Sequence, residues 1–114
     1  MTTQAEALDR LIAAVDAGNA DDSPKGEWPL RRFLEAFPGS SGEYIRAADA
    51  YRGSLDAAKA LHDALLPGWG FSVHEDSAEV EDDHAVGPFY DHIGGDPARA
   101  WLLAILRAYR GTLE

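Results

Sequence analysis

Apolar residues recur along this chain at two spacings, a helical one near both ends and an alternating one between them. The first helical stretch carries its apolar residues at Leu8, Leu11, Ile12 and Val15. Residues three and four apart share one face of a helix, so this spacing predicts an amphipathic helix with one buried side. We expect it to begin at Thr3, because Glu6 completes a capping box, and to end at Gly18.

Two further helices are predicted in the second half of the chain. One begins after Ser54, a favourable N-cap, and ends at Pro67-Gly68; its alanines and leucines favour packing against a sheet. Its apolar side is formed by Leu55, Ala58, Leu61 and Leu65. The last helix is capped by Asp96, has Pro97 in its first turn and is expected to end at Gly111. Its apolar residues are Trp101, Leu102, Ile105, Leu106 and Tyr109.

Between these two helices the pattern changes to alternation, which is typical of β-strands. The apolar positions of the first strand are Trp69, Phe71 and Val73, which we expect to face a helix layer. A hairpin turn at residues 75–77 leads to a second strand, in which Ala78 and Val80 alternate with two glutamates. A third strand is predicted within residues 86–93, where Gly87-Pro88 indicates a sheet edge or a bulge.

Residues 19–50 give weaker signals. A short helix opened by Trp28-Pro29 is predicted, and residues 43–51 suit either a short strand around Tyr44-Ile45 or a helical turn. Many of the other residues in this region are of types that favour turns, so we expect the region to be partly loop. The order of elements predicts a single α+β domain over residues 1–114, with a short, mostly antiparallel sheet of three or four strands.

Composition narrows the class of protein. The 114 residues are 46% hydrophobic, enough for a core, and include no cysteine, which excludes disulfides and thiolate metal sites. No apolar run is long enough to cross a membrane, and the N-terminus lacks the layout of a signal peptide, so we expect a cytoplasmic protein. The net charge of −10 disfavours direct binding to nucleic acid or to anionic membranes.

The excess negative charge is concentrated in one stretch of the chain. Residues 60–98 contain no lysine or arginine, but they hold nine acidic residues and all four histidines. The rest of the chain has 11 acidic and 10 basic residues and is almost neutral. The strands and their turns are predicted in this same stretch. We therefore expect the charge to belong to one surface of the folded molecule.

About half of the chain resembles a known family. The residues that carry the resemblance are Tyr51, Ser54, Leu55, Asp56, Ala57, Ala58, Pro67, Gly68, Trp69, Pro97, Ala98 and Ala100. Residues 51–110 with this pattern resemble the phage ABA sandwich domain of small phage and prophage proteins. The resemblance implies a helix–sheet–helix sandwich and a phage or prophage origin. It implies no activity and supplies no catalytic residues, since the matching positions are core or cap residues.

Enzymatic chemistry has little support in the sequence. The ligand types suited to a divalent ion are His74, His84, His92, Glu75, Asp83 and Asp91, but their spacing fits no closed metal site. Two carboxylate sets, Asp82-Asp83 and Asp91 with Asp96, suit a hydrolase only if they meet in a cleft. There is no nucleophile or phosphate-binding motif. We therefore predict a protein that is not an enzyme and has no cofactor or metal.

The acidic stretch is the feature with the most functional promise. Carboxylates at high density suit a basic channel that normally holds nucleic acid. The sequence thus predicts a phage-encoded inhibitor, anti-CRISPR-like or a DNA mimic, that binds a basic surface of host nucleic-acid-binding or defence machinery. Its predicted partner-binding residues are Glu75, Asp76, Glu79, Glu81, Asp82, Asp83 and Asp91. The alternative is a structural or accessory phage protein acting through homo-oligomerisation or virion docking, with sheet edges and Trp28 as its contacts.

Overall fold

The described residues form five helices and a small antiparallel sheet. The computed structural model describes residues 3–18, 31–38, 42–81, 89–92 and 96–113. The elements in these ranges are α1 (Gln4–Ala17), α2 (Arg31–Ala36), α3 (Glu43–Tyr51), α4 (Leu55–Leu65), β1 (Gly70–Val73), β2 (Ser77–Glu81), β3 (Phe89–His92) and α5 (Pro97–Thr112). The predicted α+β class with a short antiparallel sheet is confirmed. None of the described helices is long and apolar enough to span a bilayer.

The predicted helix starts are confirmed by their caps. The Thr3 hydroxyl accepts the amide of Glu6 at 3.1 Å, and the Ser54 hydroxyl accepts the amide of Ala57 at 3.0 Å. At the start of α5, the Asp96 carboxylate accepts an amide of the first turn at 2.9 Å. Each cap satisfies a backbone donor that has no partner within its helix.

The helix ends agree with the prediction at one place and differ at another. Gly18 ends α1 in the left-handed conformation, with a φ of 78°. Gly111 was expected to end α5, but the helix continues through it to Thr112. The Leu113 amide then bonds to the carbonyl of Arg110 at 3.2 Å, and Leu113 packs against the core. That packing offsets the modest cost of a glycine inside a helix.

Residues 43–51 form helix α3, so the strand alternative at Tyr44-Ile45 was wrong. The buried residues of α3 are Ala47, Ala48, Ala50 and Tyr51, a helical spacing built mostly from small side chains. Small side chains let α3 lie close to α4, with which it forms a helical hairpin. Alanine is only weakly hydrophobic, so the helical spacing of these buried residues gave only a weak periodic signal in the sequence.

Helix α5 is the central element of the fold. Its residues 100–106 are all buried, as are Ala98 and Ala108. It packs against β2 and β3 and also against α1, α3 and α4, while α2 packs on α1 and α3. A helix that is apolar all round needs neighbours on every side, so α5 lies between the sheet and the other helices.

Arg99 ties the start of α5 to the end of α3. Its guanidinium donates to the carbonyl of Tyr51 from Nε at 3.2 Å and from Nη2 at 3.0 Å. The same group lies 3.9 Å from the centre of the Tyr51 ring, and Nε is 3.6 Å from the Asp96 carboxylate. The last turn of α3 has carbonyls without helical partners, and the cation satisfies one of them.

The strand order in the sheet is β1-β2-β3, and both pairings are antiparallel. Phe71 lies opposite Val80 and Val73 lies opposite Ala78, so these four residues share one face. Ala78 and Val80 are fully buried, and α5 packs on their strand. This face agrees with the predicted alternation of the two strands.

Two predictions of burial were wrong. Phe71 and Leu55 were expected on apolar faces, but each is 45% exposed, because Phe71 lies on an edge strand and Leu55 is the first residue of α4. Helix α4 was expected to pack closely against the sheet, yet its extensive contacts are with α3 and α5.

A buried histidine joins α4, β1 and α5. The Nε2 atom of His62 is 2.9 Å from the carbonyl oxygen of Trp69, and the indole N–H of Trp101 donates to Nδ1 at 3.4 Å. A carbonyl only accepts and an indole only donates, so the contacts assign the neutral tautomer with its proton on Nε2. The Phe71 ring meets that of His62 edge-on at 5.0 Å and stacks on that of Trp101 at 4.8 Å.

Replacing the buried histidine tests this junction. We expect His62→Ala to lower the free energy of unfolding by about 2–4 kcal/mol, because it leaves a cavity and deprives the Trp101 indole N–H of its acceptor. The neighbouring exposed residue supplies the control, since Asp63→Ala should change stability by less than about 0.5 kcal/mol. Urea unfolding followed by tryptophan fluorescence measures both values. Equal effects of the two substitutions would contradict a structural role for His62.

Candidate functional site

The β1–β2 hairpin gathers part of the predicted acidic site. Glu75 and Asp76 form the turn between the strands, and Glu79 and Glu81 lie on β2. Glu75 and Glu81 are exposed, while Asp76 and Glu79 are half-buried. Four of the seven predicted residues are therefore brought together on one hairpin.

The two strand glutamates share the face of the sheet that points away from α5. Glu79 lies opposite Ser72 and Glu81 lies opposite Gly70, so small residues of β1 flank both carboxylates. A Cβ added to Gly70 would meet Cγ of Glu81 at 3.8 Å, so the Glu81 side chain lies beside Gly70. His74 adds an imidazole beside the hairpin turn, 3.2 Å from the Ser72 hydroxyl.

The basic side chains of the helices have partners elsewhere. Lys59 pairs with Asp63 at 2.6 Å, Arg110 with Asp9 at 3.0 Å and Arg107 with Asp16 at 3.9 Å. Among the residues that the structure describes, no cation pairs with Glu75, Glu79 or Glu81. Glu75 and Glu81 are exposed and Glu79 is half-buried, and no described cation neutralises the charge of these three carboxylates. We name them the acidic face.

The other predicted residues divide into those that the structure describes and those that it does not. Asp91 lies on β3, where its Cα is opposite that of Ala78. Asp82 and Asp83 lie outside the described residues, as does Trp28. Asp96, considered as half of a carboxylate pair, caps α5 and has a structural role.

The acidic face is neither a metal site formed by described residues nor part of the two grooves that these residues line beside α1. The described parts of the chain contain no group of three or more metal-ligating side chains. Two open grooves of about 230 and 420 Å³ lie beside α1, and both are lined by Arg10 and Arg32 rather than by the acidic face. An exposed hairpin of this kind suits contact with another macromolecule better than enclosure of a small molecule.

The sequence did not predict the burial of His62 or the exposure of Phe71. His62 was not expected to be buried, because an isolated histidine carries no periodic signal. Phe71 was expected in the core, and only the strand order reveals that it lies at a sheet edge. The signal for His62 was its position one turn after Ala58 on the buried side of α4.

Comparison of the chain with protein-family models, with curated proteins and with solved structures found no match. Function is therefore argued from the site itself.

If the acidic face has no role in holding the fold together, its carboxylates can be neutralised without loss. We expect Glu79→Gln with Glu81→Gln to leave the free energy of unfolding unchanged or to raise it by a few tenths of a kcal/mol, because like charges are removed. Asp96→Ala, which deletes a cap, should lower it by about 1 kcal/mol. Urea unfolding at low salt compares the two. A destabilised double variant would show that the glutamates have a structural role.

Proposed function

We propose that this protein is a non-enzymatic binding protein whose acidic face engages a basic surface on a protein partner. The observation that carries the proposal is an exposed hairpin on which Glu75, Glu79 and Glu81 have no described basic partner. Carboxylates of this kind attract positive charge over a Debye length, about 8 Å at physiological salt. Their field accelerates encounter with a basic partner and selects against acidic ones.

A nucleic-acid-binding surface is the partner class that we propose. Glu79 and Glu81 are two residues apart on one strand, a separation of about 6.8 Å. One strand of duplex DNA advances by about 3.4 Å per phosphate. The distance between the two carboxylates along the strand therefore equals the rise of DNA over two phosphates. A basic groove that binds a phosphate backbone can therefore accept this strand as a mimic of DNA.

The resemblance of residues 51–110 to the phage ABA sandwich family supports a phage or prophage origin. The matching segments fold as α4, the β1–β2 hairpin and α5, in the helix, strand, helix order of that resemblance. A helix–sheet–helix sandwich with three or four strands is part of the proposal. The partner is then a host protein of nucleic-acid or defence machinery in the host cytoplasm, and the activity is inhibition of the anti-CRISPR type.

Charge reversal on the hairpin tests the proposal. The variant Glu75→Lys, Glu79→Lys and Glu81→Lys should lose at least about tenfold in affinity for a decalysine peptide at physiological salt, because attraction becomes repulsion. Wild-type binding should weaken steeply as salt is added, and fluorescence anisotropy of the labelled peptide measures both effects. Binding by the variant with wild-type affinity would contradict the proposal.

The matched control carries the same change of charge on other surfaces. Asp16→Lys, Asp49→Lys and Asp56→Lys alter exposed residues of α1, α3 and α4. This control should retain affinity to within about threefold, since its substitutions lie away from the hairpin. An equal loss in both variants would mean that net charge, and not the acidic face, governs binding.

The exposed ring on the edge strand favours a second candidate function. Phe71 is 45% exposed and lies on β1, at one end of the strand order. Edge strands with exposed apolar residues associate with other chains. A structural or accessory phage protein that assembles through this edge, as a homodimer or on a virion component, is the alternative.

Light scattering separates these two functions. The binding-protein proposal predicts a monomer at micromolar concentration, because the acidic faces of two copies repel each other. The assembly function predicts a stable dimer or larger species that dissociates when Phe71→Lys places a charge on the edge. Ala13→Lys, on the exposed side of α1, adds the same single charge and is the control.

A further inference from the structure

Strand β1 has the features of an open sheet edge. It stands at the end of the strand order, and β2 is the only described element with which it packs extensively. Its sequence, Gly70-Phe71-Ser72-Val73, contains no charge and no proline, and its first three residues are exposed. Proteins that protect an edge use charged residues, proline or a cover of other elements. Apart from its shortness, β1 has none of these protections among the described residues.

The alternation of hydrogen bonds between β1 and β2 shows which backbone groups of β1 point away from β2. The amide of His74 donates to the carbonyl of Ser77 at 2.8 Å, which marks this pair as hydrogen-bonded across the hairpin. In an antiparallel ladder, bonded and non-bonded pairs alternate along the strand. Phe71 and Val73 are therefore non-bonded positions, and their N–H and C=O groups point away from β2.

The carbonyl of the preceding residue that points away from β2 already has a partner. This residue is Trp69, two positions before Phe71, and its carbonyl oxygen lies 2.9 Å from Nε2 of His62 on α4. The buried histidine thus takes up the outward-pointing carbonyl of Trp69. From Phe71 onward, two residues offer backbone donors and acceptors to another strand.

The two faces beside this edge differ in chemistry. On one face, only Gly70 and Ser72 separate the edge from Glu81 and Glu79, and Cγ of Glu81 lies beside Gly70. On the other face is the exposed ring of Phe71.

The cation nearest to the Phe71 ring is already paired. Nζ of Lys59 lies 5.7 Å from the ring centre and 2.6 Å from the carboxylate of Asp63. One face beside the edge is therefore acidic, and the other is apolar and close to neutral.

We propose that the β1 edge binds an extended basic segment of the partner as an added antiparallel strand. Apolar side chains of that segment lie opposite Phe71 and Val73 and pack on the aromatic ring. The alternate lysines or arginines lie on the other face, where long side chains reach across Gly70 and Ser72 to Glu81 and Glu79. Backbone bonds give affinity and the alternation gives specificity. This inference rests on the proposed function and specifies the form of its partner.

Charge decides against a second copy of this chain as the occupant. Two β1 edges paired antiparallel about a two-fold axis perpendicular to the sheet would form one continuous sheet with both acidic faces on the same side. Such a dimer supplies no cation to Glu79 and Glu81 of either copy, so their charge stays uncompensated. A strand that alternates basic and apolar residues meets the same edge with attraction on one face and apolar contact on the other.

The test uses a peptide of four Lys-Val repeats with blocked termini. Residues directly opposite in a ladder share a face, so the valines pair with Phe71 and Val73 and direct their N–H groups to β1. N-methylation of the valines should therefore weaken binding by at least about tenfold, because it removes those donors. N-methylation of the lysines changes only the outer side of the added strand, and affinity should stay within about threefold. Fluorescence anisotropy at physiological salt compares the three peptides.

Amide hydrogen exchange of the isotope-labelled protein supplies the second measurement. The amides of Phe71 and Val73 should gain protection when the peptide binds. Those of Gly70 and Ser72 already bond to β2 and should change little. If both methylated peptides bind like the parent and only Glu79→Gln with Glu81→Gln weakens binding, strand addition is wrong and the acidic-face proposal stands. If binding is indifferent to the glutamates as well, both proposals are overturned.

Discussion

The burial of α5 on all sides is the constraint on which the remaining architecture depends. A helix that buries every residue from 100 to 106 cannot be covered by one layer, so helices must enclose one side and the sheet the other. Ala78 and Val80 supply the sheet's contribution to that cover. Once one face of β2 is committed to α5, the alternation of the strand places Glu79 and Glu81 on the opposite face. The position of the negative charge is thus a consequence of how the core is closed.

Short-range chemistry made much of the fold predictable. The caps at Thr3, Ser54 and Asp96 are local, and so is the alternation that places Glu79 and Glu81 on one face. The missed features depend on contacts distant in sequence. α3 is built from alanines, whose burial depends on α4, and Gly111 stays helical because Leu113 finds a place against the core. The candidate site divides in the same way: the hairpin was predictable, whereas the exposure of Phe71 depends on strand order.

His62 links the stability of the domain to the shape of its surface. It holds the indole of Trp101 inside the core and the carbonyl of Trp69 at the start of the sheet edge. His62 acts in two places, since the same ring accepts from the indole of Trp101 and donates to the carbonyl of Trp69. Only Gly70 stands between Trp69 and the exposed Phe71, so the packed aromatic junction and the edge strand are adjacent in the chain.

The lack of described partners for Glu75, Glu79 and Glu81 has an evolutionary consequence. Residues that hold no neighbour in place can be exchanged without a compensating change in the interior, so their sequence can change almost independently of selection on folding. Gly70 and Ser72, opposite Glu81 and Glu79, add two more exposed positions to this face. The charge of this face can therefore change through a few surface codons while the helical interior stays as it is.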